Sequence, residues 1–300
     1  MTLFRPPHGS FLRPFGEKWK YRAGGGCMGL LLVFSVFPVM AQSLEGLASD
    51  SDAPVEIHAE EGIEWIQEKK VYIARGKARA IRGDVTVDAD VLTAHYRPTE
   101  EGGTDIWRLD ADGNVKIRNP SSVTYADRGV FDVPKGILVL TGRRLKLETG
   151  ENTVTAHDSL EFWQFRNMAV ARGNAHVTGK NREMDADILT AYFHKVPGKG
   201  TELQRIEAFG NVKIKTPNET AISERGVYDM VTSIVSIFGS VKILRGNDQL
   251  TGEYGEVNLN TGISRLLNAP PSGGRKGRVR AVFSAKKGAK IEPKESQPQQ

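Results

Sequence analysis

Apolar and polar residues alternate with a period of two through most of the chain between residues 55 and 267. Val115 and Ile117, for example, flank Lys116. This period is typical of a strand with one dry face and one wet face. Glycines interrupt the runs about every ten residues, and no long segment has the period of a helix. The pattern therefore predicts an all-β protein built from many strands.

The same body is a tandem repeat with an offset of 97 residues. Three segments recur at this offset without a gap: DADVLTA at 88–94 as DADILTA at 185–191, GNVKI at 113–117 and again at 210–214, and RGVFD at 128–132 as RGVYD at 225–229. The offset predicts units over about 57–153 and 154–250, with a partial third unit over 250–267. Repeated units that contact only their neighbours favour an elongated, solenoid-like sheet.

The N-terminal segment, residues 1–41, differs from the repeated body. A basic stretch leads into the apolar run 29–41, which ends in Val39-Met40-Ala41. A basic region, a short apolar core and small residues at the end are typical of a secretory signal peptide, here cut after Ala41. An uncleaved N-terminal anchor is the alternative. In either case the sequence predicts that the body is exported across a membrane.

Charge and composition set the two flanks of the body apart. Residues 42–54 are small and polar and predict a linker, whereas residues 268–300 are rich in Pro, Gly, Lys, Arg and Gln and predict a basic, disordered tail. The chain has a formal charge of +5, but its basic residues are concentrated at the ends. The acidic body is expected to repel phosphates, which argues against nucleic acid as a partner. The tail is either solvated or contacts anionic head groups or an acidic partner.

Catalytic and metal-binding patterns are weak. The pairs Asp88/Asp90 and Asp185/Asp187 form D-x-D motifs, which hold divalent metals in some enzymes. We favour solvated carboxylates on the wet face of a strand. The histidines lack metal-ligand spacing, no G-x-S-x-G motif occurs, and the single cysteine, Cys27, precedes the predicted cleavage site. We therefore expect no catalytic residues, no metal and no cofactor.

The apolar side of the strands is the feature left without a chemical role. Such a face either fills a closed core or lines an open trough for an acyl chain, and the alternation alone does not decide between them. The residues predicted to line the interior are Val71, Ile73, Val87, Ala89, Val91, Val115, Ile117, Met168, Val170, Met184, Ala186, Ile188, Val212 and Ile214.

The order of the motifs resembles the OstA-like family over about 55–267. The resemblance rests on the predicted signal peptide, the A-D-x-L-x-A strand at 89–94 and 186–191, the GNVKI and R-G-V-[FY]-D strands, and the ending at 252–262. It implies an elongated β-jellyroll that is open along one side, resembles a folded taco and stacks head to tail with other copies. The repeat is longer than a typical single domain of that family.

The resemblance also implies a function. In that family the interior holds the acyl chains of lipopolysaccharide, without catalysis, and the stack crosses the periplasm from inner to outer membrane. The implied partners are lipopolysaccharide, further copies of the chain, and inner-membrane LptC-like and outer-membrane LptD-like proteins that join by strand addition. Two alternatives stay open: a membrane-anchored LptC-like component, and a carbohydrate-binding or structural β-solenoid, conceivably hydrolytic.

Overall fold

The computed structural model describes residues 55–100, 102–196, 200–261, 263–271, 273 and 278–283. The predicted signal peptide and the 42–54 linker lie outside these residues. The predicted all-β fold is confirmed. The first nine strands are β1 (Glu56–His58), β2 (Gly62–Ile66), β3 (Val71–Arg82), β4 (Val85–Pro98), β5 (Thr104–Asn119), β6 (Ser122–Asp132), β7 (Ile137–Thr141), β8 (Lys146–Thr149) and β9 (Asn152–Thr155). The others are β10 (Ser159–Trp163), β11 (Met168–Gly179), β12 (Arg182–Val196), β13 (Gly200–Lys215), β14 (Thr220–Asp229), β15 (Ile234–Arg245), β16 (Asp248–Asn258), β17 (Ile263–Leu267) and β18 (Arg280–Val282).

All the strands belong to one antiparallel sheet. Because bulges interrupt the long strands near their middle and the apolar faces on either side share one core and one cavity, we infer that the sheet is bent lengthwise into a V. The ten long strands, β3–β6 and β11–β16, run through both arms of the V. The first arm also holds β2, β7, β10 and β17, and the second arm holds β1, β8, β9 and β18. Fourteen layers at about 4.8 Å make a body roughly 60 Å long. The inner face of each arm faces the other arm, and the outer face is turned away.

The bend, which we call the crease, is made by a β-bulge in every second long strand. Between its pairings with Val91 and Asp88, β5 advances from Asp112 to Lys116, one residue more than β4. Each bulge contains two successive residues with positive φ: Gly76-Lys77, Gly113-Asn114, Gly173-Asn174, Gly210-Asn211 and Gly239-Ser240. Glycine adopts this conformation without strain, and a bulge bends its strand. The repeated Gly-Asn pair is therefore the local cause of the V shape.

A carboxylate on the neighbouring strand, or directly before it, covers each bulge glycine and also Gly142, which lies between β7 and β8. The pairs are Glu61 on Gly76, Asp90 on Gly113, Asp127 on Gly142, Asp158 on Gly173, Asp187 on Gly210 and Glu224 on Gly239. Asn114 Nδ2 donates to Asp90 Oδ2 at 2.9 Å, and Asn211 Nδ2 donates to Asp187 Oδ2 at 3.0 Å. A Cβ atom at any of these glycines would overlap the carboxylate side chain. The crease therefore requires both the glycine and its acidic neighbour.

The sheet extends further toward the C-terminus than the sequence predicts. Arg280–Val282 pairs antiparallel with Gln249–Thr251 as strand β18, although composition predicts disorder over 268–300. The short segment Arg280–Val282 completes the second arm of the last layer. The average composition of the tail does not predict this strand, because the segment is short and polar residues surround it. In the part of the chain that the structure describes, we find no helix long and apolar enough to cross a membrane.

Candidate functional site

Two uninterrupted rows of side chains line the inner face, one on each arm, and cross-strand pairing sets successive members directly opposite each other. The first-arm row, from β2 to β17, is Ile63, Ala74, Leu92, Ala111, Gly129, Leu140, Leu160, Ala171, Leu189, Ala208, Gly226, Ile237, Gly255 and Leu266. The second-arm row, from β1 to β18, is Ile57, Ala80, Val87, Ile117, Thr124, Leu147, Val154, Val177, Met184, Ile214, Ala221, Ile243, Leu250 and Ala281. Because Thr124 is the only polar member, the two rows form one apolar trough along the body.

The trough is not completely filled by side chains. A cavity of about 80 Å³ lies between the arms near the junction of the two repeat units. It is lined mainly by apolar residues of both arms, including Leu138, Leu140, Leu147, Val154, Leu160, Ala169, Ala171, Val177, Met184, Leu189 and Ala191. A smaller cavity of about 10 Å³ continues under Tyr228. Apolar space of this kind stays dry and accepts apolar ligands.

Eight of the fourteen predicted lining residues lie on the inner face: Val87, Ala89, Val115, Ile117, Met184, Ala186, Val212 and Ile214. Among them, Ala89 and Ala186 are each only 3% exposed and lie beside the crease, where the two arms are closely packed. These two positions therefore belong to the packed base of the trough and not to its open part.

For Val91 and Ile188 the predicted inward orientation is wrong. Val91 lies opposite Arg75 and Asp112 on the outer face, and Ile188 lies opposite Arg172. The crease reverses the alternation, because three residues instead of two separate successive inward side chains in these strands. Strict alternation from Ala89 or Ala186 therefore assigns both residues to the wrong face.

The register also places Val71, Ile73 and, in the second unit, Met168 on the outer face, so the prediction is wrong for these three. Val170 is 3% exposed and lines the cavity of about 80 Å³. In β3 the inward side chains are Tyr72 and Ala74, and in β11 they are Ala169 and Ala171, as the two inner rows and the ring contact between Tyr72 and Tyr96 show. The outer face here is also apolar, so hydrophobicity alone does not identify the inner side. The structure instead places small alanines inside, which leaves room in the trough.

Charged side chains lie among the apolar ones on the outer face of the first arm. Asp110 accepts a hydrogen bond from Arg108 and forms a second one with His95. Glu161 accepts hydrogen bonds from Ser159, Trp163 and Arg172. Burial raises the pKa of both carboxyl groups, but these hydrogen bonds outweigh it and hold each pKa below its ordinary value. The outer face is therefore held by ionised carboxylates, in contrast to the apolar inner face.

The D-x-D motifs do not form a metal site. Asp88 pairs with Arg79 and Arg118 on the outer face, while Asp90 covers the crease glycine Gly113. Among the described residues, no group of three or more His, Cys, Asp or Glu side chains has a metal-binding arrangement. Asp88 thus lies on the outer face, as the favoured interpretation expects, whereas Asp90 has a structural role at the crease.

Sequence reasoning missed a polar row on the inner face at the free end of the second arm. This row, which we call the lip, includes Arg82, Asn119, Ser122, Thr149, Asn152, Arg182, Thr216, Glu219, Arg245 and Asp248. Asn119 Nδ2 is buried there without a hydrogen-bond partner, and Arg245 pairs with Glu219 at 3.0 Å. The signal was available in the sequence, since each member lies two residues beyond the second-arm row or adjoins a turn. The trough is therefore amphipathic in cross-section.

The comparisons with known proteins bear on this trough. A family model described as LptA/(LptD N-terminal domain) LPS transport protein matches residues 56–158 and again 157–263, more than two thirds of the chain. No curated protein matches. A crystal structure of LptH from Pseudomonas aeruginosa, the LptA homologous periplasmic component of its lipopolysaccharide transport device, aligns at 11% identity and a TM-score of 0.20, over 79% of this chain and 99% of that one. At that score the alignment carries no weight. The two successive family matches and the all-β repeat show that this chain belongs to the LptA/LptD N-terminal family of lipopolysaccharide transport proteins.

Proposed function

We propose that the chain is a non-enzymatic, periplasmic lipopolysaccharide-binding bridge. It would shield acyl chains in its trough while lipopolysaccharide moves from the inner to the outer membrane for outer-membrane assembly. The observation that supports this most is the pair of rows, apolar except for Thr124, with unfilled space between them. Family membership supports the ligand class.

The energetics explain why a trough is needed. Each methylene kept out of water is worth about 0.8 kcal/mol, so a single chain of a dozen carbons would cost about 10 kcal/mol to expose. An apolar channel that runs through every layer avoids this cost at each point along the path. Binding by burial needs no reacting group.

The two ends of the body support stacking by strand addition. Among the described strands, β1 and β2 pair only with β3, and β17 and β18 pair only with β16. Each end exposes large apolar side chains, namely Val55, Ile57, Ile63 and Trp65 at one end and Ile263, Leu267, Val279, Val282 and Phe283 at the other. Unpaired edges of this kind accept strands from another chain. We propose further copies of this chain, an LptC-like protein and an LptD-like protein as the partners.

Two experiments test the proposal. Mass spectrometry of lipid that co-purifies with the protein from its native envelope should detect lipopolysaccharide, and a protein that carries only phospholipid or no lipid would contradict it. Replacing Ile57 in β1 by proline should shorten the head-to-tail oligomers seen by size-exclusion chromatography, because proline cannot donate to a ladder. The same oligomers in the variant would exclude this edge.

Export is part of the same proposal. We propose cleavage after Ala41, which would leave the 42–54 segment as a linker before β1. N-terminal sequencing of the protein from the envelope should begin at Gln42. An intact Met1 in the membrane fraction would favour the membrane-anchored alternative.

A further inference from the structure

The two repeat units differ at one place in the trough where the fold does not require it. In β12, Arg182 lies on the same side as Met184 and Ala186, which are both in the core, so its side chain belongs to the inner face at the lip. Tyr228 lies on the inner face of the first arm, opposite Ile206 and Val235. The second unit therefore places a guanidinium and a phenol inside its trough.

The positions 97 residues earlier are Val85 and Phe131, both buried in the core of the first unit. The same layers thus fold with an entirely apolar pair. Placing a charge here has a desolvation cost, which appears as a lowered pKa of Arg182 caused by burial. Burial raises the pKa of Tyr228, and the charge of Arg182 lowers it in part. Tyr228 lines the same small cavity as Met184, which is two residues from Arg182 in β12.

Arg182 also has a distinctive position among the lip arginines. Met184, two residues further along β12, lines both cavities, and Tyr228 lines the smaller one. The other two lip arginines lie in other strands: Arg82 in β3, near the N-terminal end of the body, and Arg245 in β15, where it pairs with Glu219. Gly179 lies opposite Arg182, and a Cβ atom there would meet Asn152 Oδ1 at 2.6 Å before Arg182 Nε at 3.3 Å, so the glycine accommodates both polar side chains of the lip. Arg182 is therefore the lip residue next to the inward side chain, Met184, that lines both cavities.

We propose that Arg182, assisted by Tyr228, binds the phosphate of an amphiphile whose acyl chains occupy the cavity below, and so fixes the position of the ligand in the second unit. A guanidinium binds a phosphate through charge-assisted, often bidentate hydrogen bonds, and a phenol can donate a further one. This inference rests on the proposed function and adds the anionic head group and its anchor. The apolar trough below holds the chains, and the polar lip holds the phosphate.

The test compares lipid A with lipid A from which the phosphates have been removed, binding to the full mature chain. The variant Arg182→Val, which installs the residue of the first unit, should weaken binding of lipid A by about tenfold or more and leave the dephosphorylated lipid unaffected. Arg182→Lys should recover part of the loss, and Tyr228→Phe should produce a smaller loss of the same kind. Lys213→Val removes an exposed charge from the same arm and is the matched control, with an affinity like the wild type.

Several results would overturn the inference. Equal losses for both lipids would show that Arg182 only shapes the trough, and an equal loss in Lys213→Val would show non-specific attraction. A lower melting temperature in Arg182→Val with unchanged lipid A affinity would make the residue structural. In another outcome, the wild type binds inorganic phosphate and still shows equal affinity for the two lipids. That result would show that the site does not recognise the head group of the lipid. If the wild type binds both lipids equally well, the anchor fails while the lipid carrier stands; if it binds neither, the proposed function fails as well.

Discussion

Filling the trough at its centre should separate lipid loading from folding. Ala169 and Ala191 lie directly opposite each other in β11 and β12 and line the cavity of about 80 Å³. A phenylalanine in place of Ala191 would direct its ring into this dry space. The substitution Ala191→Phe is therefore expected to block acyl chains without disturbing a packed core.

The size of the effect follows from the packing around each alanine. Burial of apolar ring surface contributes about 25 cal/mol per Å² and offsets the local strain, so Ala191→Phe should change the free energy of unfolding by less than about 1 kcal/mol. Ala186→Phe is the matched control, because Ala186 is 3% exposed at the packed base of the trough. There the same ring overpacks the core at a cost of about 1–3 kcal/mol. A body of this size loses roughly 2–4 °C of melting temperature per kcal/mol.

The assay pairs a melting curve with retention of radiolabelled lipopolysaccharide for each variant. We expect Ala191→Phe to melt near the wild-type temperature and to lose most bound lipid, and Ala186→Phe to melt several degrees lower. A large drop in melting temperature for Ala191→Phe, with lipid retained by the folded fraction, would refute the trough. It would instead show a close-packed core at the centre.

Two further predictions concern stability. Gly113→Ala should destabilise the protein by about 1–3 kcal/mol in chemical denaturation, because Gly113 has a φ of 78° and is covered by Asp90. The control is Gly83→Ala, which should cost less because Gly83 also has a positive φ but has open space around it. Equal costs for the two variants would contradict the role of the carboxylate. The pKa of Glu161 is lowered in the folded state, so its contribution to stability is present above its ordinary value near 4.5 and is lost as the pH falls through the folded pKa. Thermal unfolding between pH 3 and 7 should show a smaller acid loss for Glu161→Gln, and unchanged pH dependence would exclude the carboxyl group.

The sequence predicts the fold class well because the signals for it are local and repeated. A period of two along each strand and an offset of 97 residues are visible without any tertiary information. The Gly-Asn pairs at 113–114 and 210–211 are equally visible, and the structure shows that they make the bend. A local turn signal inside a strand thus had a global consequence, the V shape of the whole sheet.

The lining of the trough was harder to predict, because it depends on which way each strand passes the crease. Val91 and Leu92 are both apolar, and only the bulge decides that Leu92 points inward. The junction of the units, with Leu138 and Leu160, was missed because it lies between the most recognisable repeat motifs. The lip was missed because polar residues near turns, such as Asn119, are ordinarily solvated.

The most direct test of the central claim uses pairs of adjacent residues that point to opposite faces. A photo-crosslinking amino acid is placed at Leu92 or Leu189 on the inner row, and at Val91 or Ile188 on the outer face. After irradiation in cells, lipopolysaccharide adducts are detected by immunoblot. We expect adducts at 92 and 189 and none at 91 and 188. Adducts of equal strength at both members of each pair, or at the outer positions alone, would contradict an inner trough that carries lipopolysaccharide.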